Sequence, residues 1–151
     1  MQLIRERVGQ ESGNSPQPVD RAHDHAFIGI DFVEVAESHV LFFGRVKDYL
    51  NGEPLDAGTD LSEFDRNCEL ERWLQGVGTK RFGQLRSFAR LRDAHAEFHN
   101  LATDVLAMIH AGSWIAAEHM RKNELSQALR RVLITLTELN ESIRKQGAGV
   151  S

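Results

Sequence analysis

Apolar residues recur along three stretches of the chain in alternating steps of four and three. Over about 26–51 they fall at Ile28, Phe32, Val35, Phe42, Val46 and Tyr49, with His39 filling one of the slots. Over about 82–110 they fall at Phe88, Leu91, Phe98, Ala102, Val105 and Ile109, and His95 takes the slot between Leu91 and Phe98. Over about 113–146 the stripe is Leu125, Leu129, Val132, Leu136, Leu139 and Ile143. Such steps keep one helix face apolar and suit left-handed packing at shallow crossing angles. A shorter stretch, with Ser62 or Asp65 as N-cap and an end near Val77, turns Leu70, Trp73, Leu74 and Val77 to one side. Asn51-Gly52 and Pro54 close the first helix, and residues 52–61 read as loop. No segment alternates with the period of a strand for long enough to compete. The pattern predicts an all-α four-helix bundle of three long helices and one short one.

Residues 1–22 break the pattern. Gly9, Gly13, Pro16 and Pro18 lie among polar residues, so this stretch is expected to be a flexible N-terminal arm, with at most one helical turn at Leu3–Val8. The bundle is expected to occupy 23–148, with no internal repeat and no second linker.

Composition narrows the partners. Charged residues make up 26% of the 151, the net charge is −4, and no run of Lys or Arg appears, so nucleic acid is not an expected ligand. No apolar run approaches the roughly eighteen residues of a membrane span. Arg5, Glu6 and Arg7 interrupt the apolar start that a signal peptide needs. The single cysteine, Cys68, excludes an internal disulfide and fits a cytoplasmic setting.

The histidines are harder to place. His39 and His95 occupy slots that call for apolar residues, and His99 stands about 6 Å further along the third helix, at 1.5 Å per residue. One such imidazole is ordinarily a core group bonded to a carbonyl. Cys68, near the start of the short helix, is either a small buried hydrophobe or a thiolate favoured by the helix dipole. Three imidazoles and a thiolate also make a closed tetrahedral set for Zn²⁺, at ~2.0–2.1 Å to nitrogen and ~2.3 Å to sulfur. The HxxxH pair lacks the Glu of the HExxH zinc proteases. On spacing alone, satisfied core imidazoles and a metal site both stand.

The ordered set resembles the chemoreceptor zinc-binding (CZB) domain of bacterial signalling proteins, over roughly residues 31–103. That family has a histidine in its first helix, then a Cys-x-x-Gly-x-Trp element, then a His-x-x-x-His pair. The counterparts are His39, followed by Phe42; CELERWL, carrying Cys68, Trp73 and Leu74; and HAEFH, His95 to His99. The intervals of 29 and 27 residues agree with the family pattern. Glu71 departs from it, standing where glycine is usual, and this bears on how closely another backbone approaches there. The resemblance implies one Zn²⁺ held by His39, Cys68, His95 and His99. It also implies sensing of zinc, in some members sensing of oxidants through the cysteine, and a homodimer. The signalling partner would be a chemoreceptor or a cyclic-di-GMP enzyme. With no receptor hairpin or cyclase segment in the sequence, a stand-alone member is expected.

Other residues carry less. His23-Asp24-His25 is either a surface metal site or a solvated turn, and His110 and His119 flank a turn at Gly112. Trp73 reads as packing that also shields the sulfur, Glu97 and Asp93 as solvated charge, and Leu133 and Ile134 as surplus apolar surface for a dimer. Catalysis is not expected. Four protein ligands leave no position for a reactive water. Three residues before the helical histidines stand Ala36, Arg92, Ala96, Ala107 and Ala116, so the Glu-x-x-His pairs of di-iron bundles are missing. A helical scaffold with a purely structural zinc remains the alternative to a sensor.

Overall fold

The computed structural model describes residues 28–53 and 60–150, with the side chains in them except those of 65 and 147–150. The 1–22 arm expected from the sequence, and His23 and His25, lie outside those residues. Helices account for all the regular structure among the described residues, as the periodicity predicts. They are α1 (Phe32–Leu50), α2 (Leu61–Arg66), α3 (Glu69–Gln75), α4 (Val77–Phe82), α5 (Arg86–His110), α6 (Trp114–Met120) and α7 (Ser126–Val150). One π turn, Arg121–Leu125, joins α6 to α7 without a break.

The long stripes form the core. Val35, His39, Phe42 and Val46 are buried on α1; Phe88, Leu91, His95, Phe98, Ala102, Val105 and Ile109 on α5; Leu129, Val132, Leu136 and Leu139 on α7. Helix α5 lies along α7, and three side-chain pairs mark the direction: Ser87 with Ser142, Arg90 with Glu138, and Glu97 with Arg131. As one partner advances along the chain the other retreats, so the two helices are antiparallel. Helix α1 packs on α7, and α2 rests on α1 and α5.

Four boundaries differ from the sequence reading, each for a local reason. The first helix starts at Phe32, not near 26, because Gly29 adopts φ 85°, a left-handed conformation that an α-helix does not continue through. The short helix is three helices of six, seven and six residues. The first is capped by Asp60 and not by Ser62 or Asp65: its Oδ1 accepts from the Ser62 backbone N–H at 2.9 Å. Val77, expected inside, is 46% exposed; the chain turns at Gly76 and places Gly78 against the Trp73 ring instead. A Cβ at position 78 would meet that ring at 2.8 Å.

The π turn is a further difference. Ala117, Arg121 and Leu125 are all buried, at two successive steps of four. Each step of four overshoots an α turn by about 40°, so an ordinary helix would carry Leu125 away from the line of Ala117. The wider turn absorbs the excess. Arg121 sits in it with its guanidinium forked onto Glu118, at 2.9 and 2.8 Å, and 5.5 Å from the Phe43 ring centre.

Candidate metal centre

Three elements deliver the cluster. The α1 stripe carries His39 inward, the α5 stripe carries His95 with His99 a turn beyond, and Cys68 occupies the N-cap position of α3. Cys68 thus lies between two short helices and not within one, as the sequence suggested. His39 and His95 are 1% and 0% exposed, Cys68 is buried and His99 half-buried.

Hydrogen bonds fix how the imidazoles face. Nδ1 of His39 donates to the Val35 carbonyl, one turn back, at 2.8 Å. Nδ1 of His95 donates to Oε1 of Glu71 at 3.2 Å. A neutral imidazole with its proton on Nδ1 presents a lone pair at Nε2. The two Nε2 atoms nevertheless stand 3.2 Å apart, with the Cys68 sulfur 3.4 Å from one and 3.7 Å from the other. Two facing lone pairs repel unless a cation lies between them. Protons are poor candidates for that cation. Burial, with His99 a smaller contributor, lowers the His39 pKa from 6.5 to about 4. Burial, then His99 and His39, lowers that of His95 to about 2.

A metal ion fits the separations. Tetrahedral bonds of ~2.0–2.1 Å to nitrogen and ~2.3 Å to sulfur place two nitrogens about 3.4 Å apart and a nitrogen and sulfur about 3.6 Å apart. The observed distances lie close to these, and one donor atom from each of the four residues falls within a common 4.8 Å. Burial pushes the Cys68 thiol up, while the backbone N–H groups of Glu71 and Leu70 pull it the other way. A cation at the centre would decide that contest in favour of thiolate. The donor set therefore suits a divalent ion that accepts nitrogen and sulfur, and the residues that can hold it are His39, Cys68, His95 and His99.

The sequence links that arrangement to a known family. Residues 39–106 match the chemoreceptor zinc-binding domain. The CZB match opens on His39 and runs through Cys68 and the histidine pair, and it ends on α5, before α6 and α7 begin. A zinc-binding signalling family is what this stretch resembles in sequence. No curated protein and no solved structure matches the chain.

Some contributors escaped the sequence reading. Phe64 on α2 stacks on His99, with ring centres 5.3 Å apart and planes at 8°, and on Phe42 at 4.3 Å. With Phe98 it walls the cluster in apolar rings. The signal was there: Leu61 and Phe64 are apolar three residues apart just before Cys68. Glu71, noted only as a departure from the family, holds His95. Trp73 meets the rings of Phe32, Phe82 and Phe88, a packing role. Glu97 is not merely solvated, because it pairs with Arg131 at 2.6 Å, while Asp93 lies 3.5 Å from neighbouring Arg92. His110 and His119 stand exposed.

Proposed function

We propose that the protein is a zinc-responsive signalling module, binding one Zn²⁺ through His39, Cys68, His95 and His99 and passing its state to a partner protein. The observation that carries this reading is the pair of Nε2 lone pairs 3.2 Å apart beside a cysteine sulfur. Bound there, zinc would hold the sulfur as thiolate and tie α1, α3 and α5 together. Ligands drawn from three helices make occupancy a control on packing. A site closed by four protein ligands leaves no place for a substrate or an activated water, so the module is not an enzyme.

Cys68 is where metal and redox state meet. A peroxide-class oxidant would transfer one oxygen to the thiolate sulfur and leave as hydroxide, giving a sulfenic acid. That group is a poorer ligand, so the contact holding Cys68 to the histidines weakens. The partner is a chemoreceptor or a cyclic-di-GMP enzyme, and the setting is cytoplasmic. In support, no helix among the described residues is long and apolar enough to cross a membrane. A homodimer is supported by the exposed Val33, Val40 and Leu41 of α1 and Ile134 of α7. A monomeric mass by light scattering at micromolar concentration, with zinc present, would remove it.

The metal is tested by native mass spectrometry of protein purified without added zinc. One Zn²⁺ per chain is expected, and His95→Ala should lose it. Full zinc retention in that variant would rule out this ligand set.

A further inference from the structure

The two buried imidazoles are anchored differently. His39 uses a backbone carbonyl, that of Val35, which no substitution at position 35 removes. His95 uses a side chain, and that side chain is half-exposed. Glu71 also touches the cluster a second time, because its backbone N–H points to the Cys68 sulfur. Its other carboxylate oxygen, Oε2, accepts from Nε2 of Gln75, one turn further along α3, so the carboxylate is held from both sides.

We propose that Glu71 is the positioning residue of the metal centre: it holds His95 as the Nδ1–H tautomer, turns Nε2 toward the ion, and links that imidazole to the Cys68 element. The inference rests on the zinc reading above. An imidazole with nothing at Nδ1 divides between two tautomers and several ring orientations, and only one combination ligates through Nε2. A carboxylate at Nδ1 selects that combination and makes the ring a stronger donor. Because Glu71 belongs to α3, the short helix that begins at Cys68, two ligands from different helices move as a unit.

A plainer role competes. Glu71 lies in the first turn of α3, where an acid is favoured by the helix dipole, and it pairs with Gln75 four residues on. Three variants of the full chain separate the two. Glu71→Ala removes everything. Glu71→Asp keeps the charge at the helix start but is one methylene too short to reach His95. Glu71→Gln keeps length and a carbonyl acceptor but loses the charge.

Zinc affinity is measured by competition with a chromophoric chelator, and the His95 tautomer by ¹⁵N NMR of the zinc-free protein. Unfolding of the zinc-free protein checks that each variant is folded. Positioning predicts that Glu71→Ala and Glu71→Asp each lose about 10–100-fold in zinc affinity, while Glu71→Gln recovers most of the loss. Wild type and Glu71→Gln should show His95 with the proton on Nδ1, and the other two a tautomer mixture. The opposite grouping, with Asp like wild type and Gln like Ala, would leave only the dipole role and overturn the proposal. So would an unchanged affinity in Glu71→Ala. If the wild-type chain itself bound no zinc, the reading beneath would fall too, which sets that failure apart from a failure of Glu71 alone.

Discussion

The α5–α7 seam and the segment 61–82 are both helical, yet they are held by different means. The seam joins two helices of 25 residues each, with apolar side chains interleaved along most of their length and polar pairs along the edge. The segment is three helices of six, seven and six residues. None approaches the roughly 12–15 residues at which a helix begins to hold by itself in water. Its attachment rests on Leu70, Trp73, Leu74 and Phe82, and on whatever joins Cys68 to the histidines. One region is therefore a frame and the other a clasp. A metal adds little to the frame and much to the clasp.

Side-chain truncation should break the comparison most visibly. Trp73→Ala, in the clasp, and Leu136→Ala, in the seam, should each cost about 2–5 kcal/mol of stability by denaturant unfolding. Only the first should also weaken zinc binding, since it loosens the element that carries Cys68. Equal effects of both on zinc affinity would mean that the regions are not separable.

Acidification should be the next largest effect, on metal-free protein. An unfolded histidine takes up a proton below about 6.5, whereas folded His39 resists protonation until about 4. Its contribution is fully present above pH 6.5 and is lost as the pH falls through 4. The loss is on the order of 3 kcal/mol from His39 alone. Burial lowers the pKa of His95 further, which carries the decline to lower pH. Urea midpoints measured between pH 7 and 4 should fall throughout, and zinc should shift the decline toward acid. A flat profile would contradict the burial of both imidazoles.

The smallest effect is local. Hydrogen exchange with zinc, without it, and after mild peroxide should show residues 62–78 losing protection in the second and third states. The α5–α7 seam should change little. Equal protection of 62–78 in all three states would leave zinc as a structural staple and remove the sensor.

The frame was readable from the sequence because each long stripe repeats for several turns and leaves a helix only one face to bury. His39 and His95 were readable for the same reason, as polar residues in apolar slots. The clasp was harder. Over 61–82 each helix offers about two turns, too few for a period to establish itself, so three helices read as one and Asp60 was passed over as a cap. The partners of Phe64 and Glu71 escaped because they lie across the gap from α2 and α3, and spacing within one helix carries no such information, although it did mark Phe64 as inward-facing. The π turn was missed although its two steps of four were visible.

That wide turn bears on which changes of length the chain tolerates. From Ala117 to Leu125 is eight residues, where two ordinary turns take about seven. The turn is, in effect, an inserted residue whose rotation has been confined to one place. Deleting the exposed Asn123 would leave an unbroken α-helix with Ala117 and Leu125 still on one side. The same deletion in the middle of α5 or α7 would rotate everything beyond it by about 100° and bring half a stripe into water. Reading-frame-preserving loss of a codon would therefore be tolerated between residues 121 and 125 and ruinous a few turns to either side.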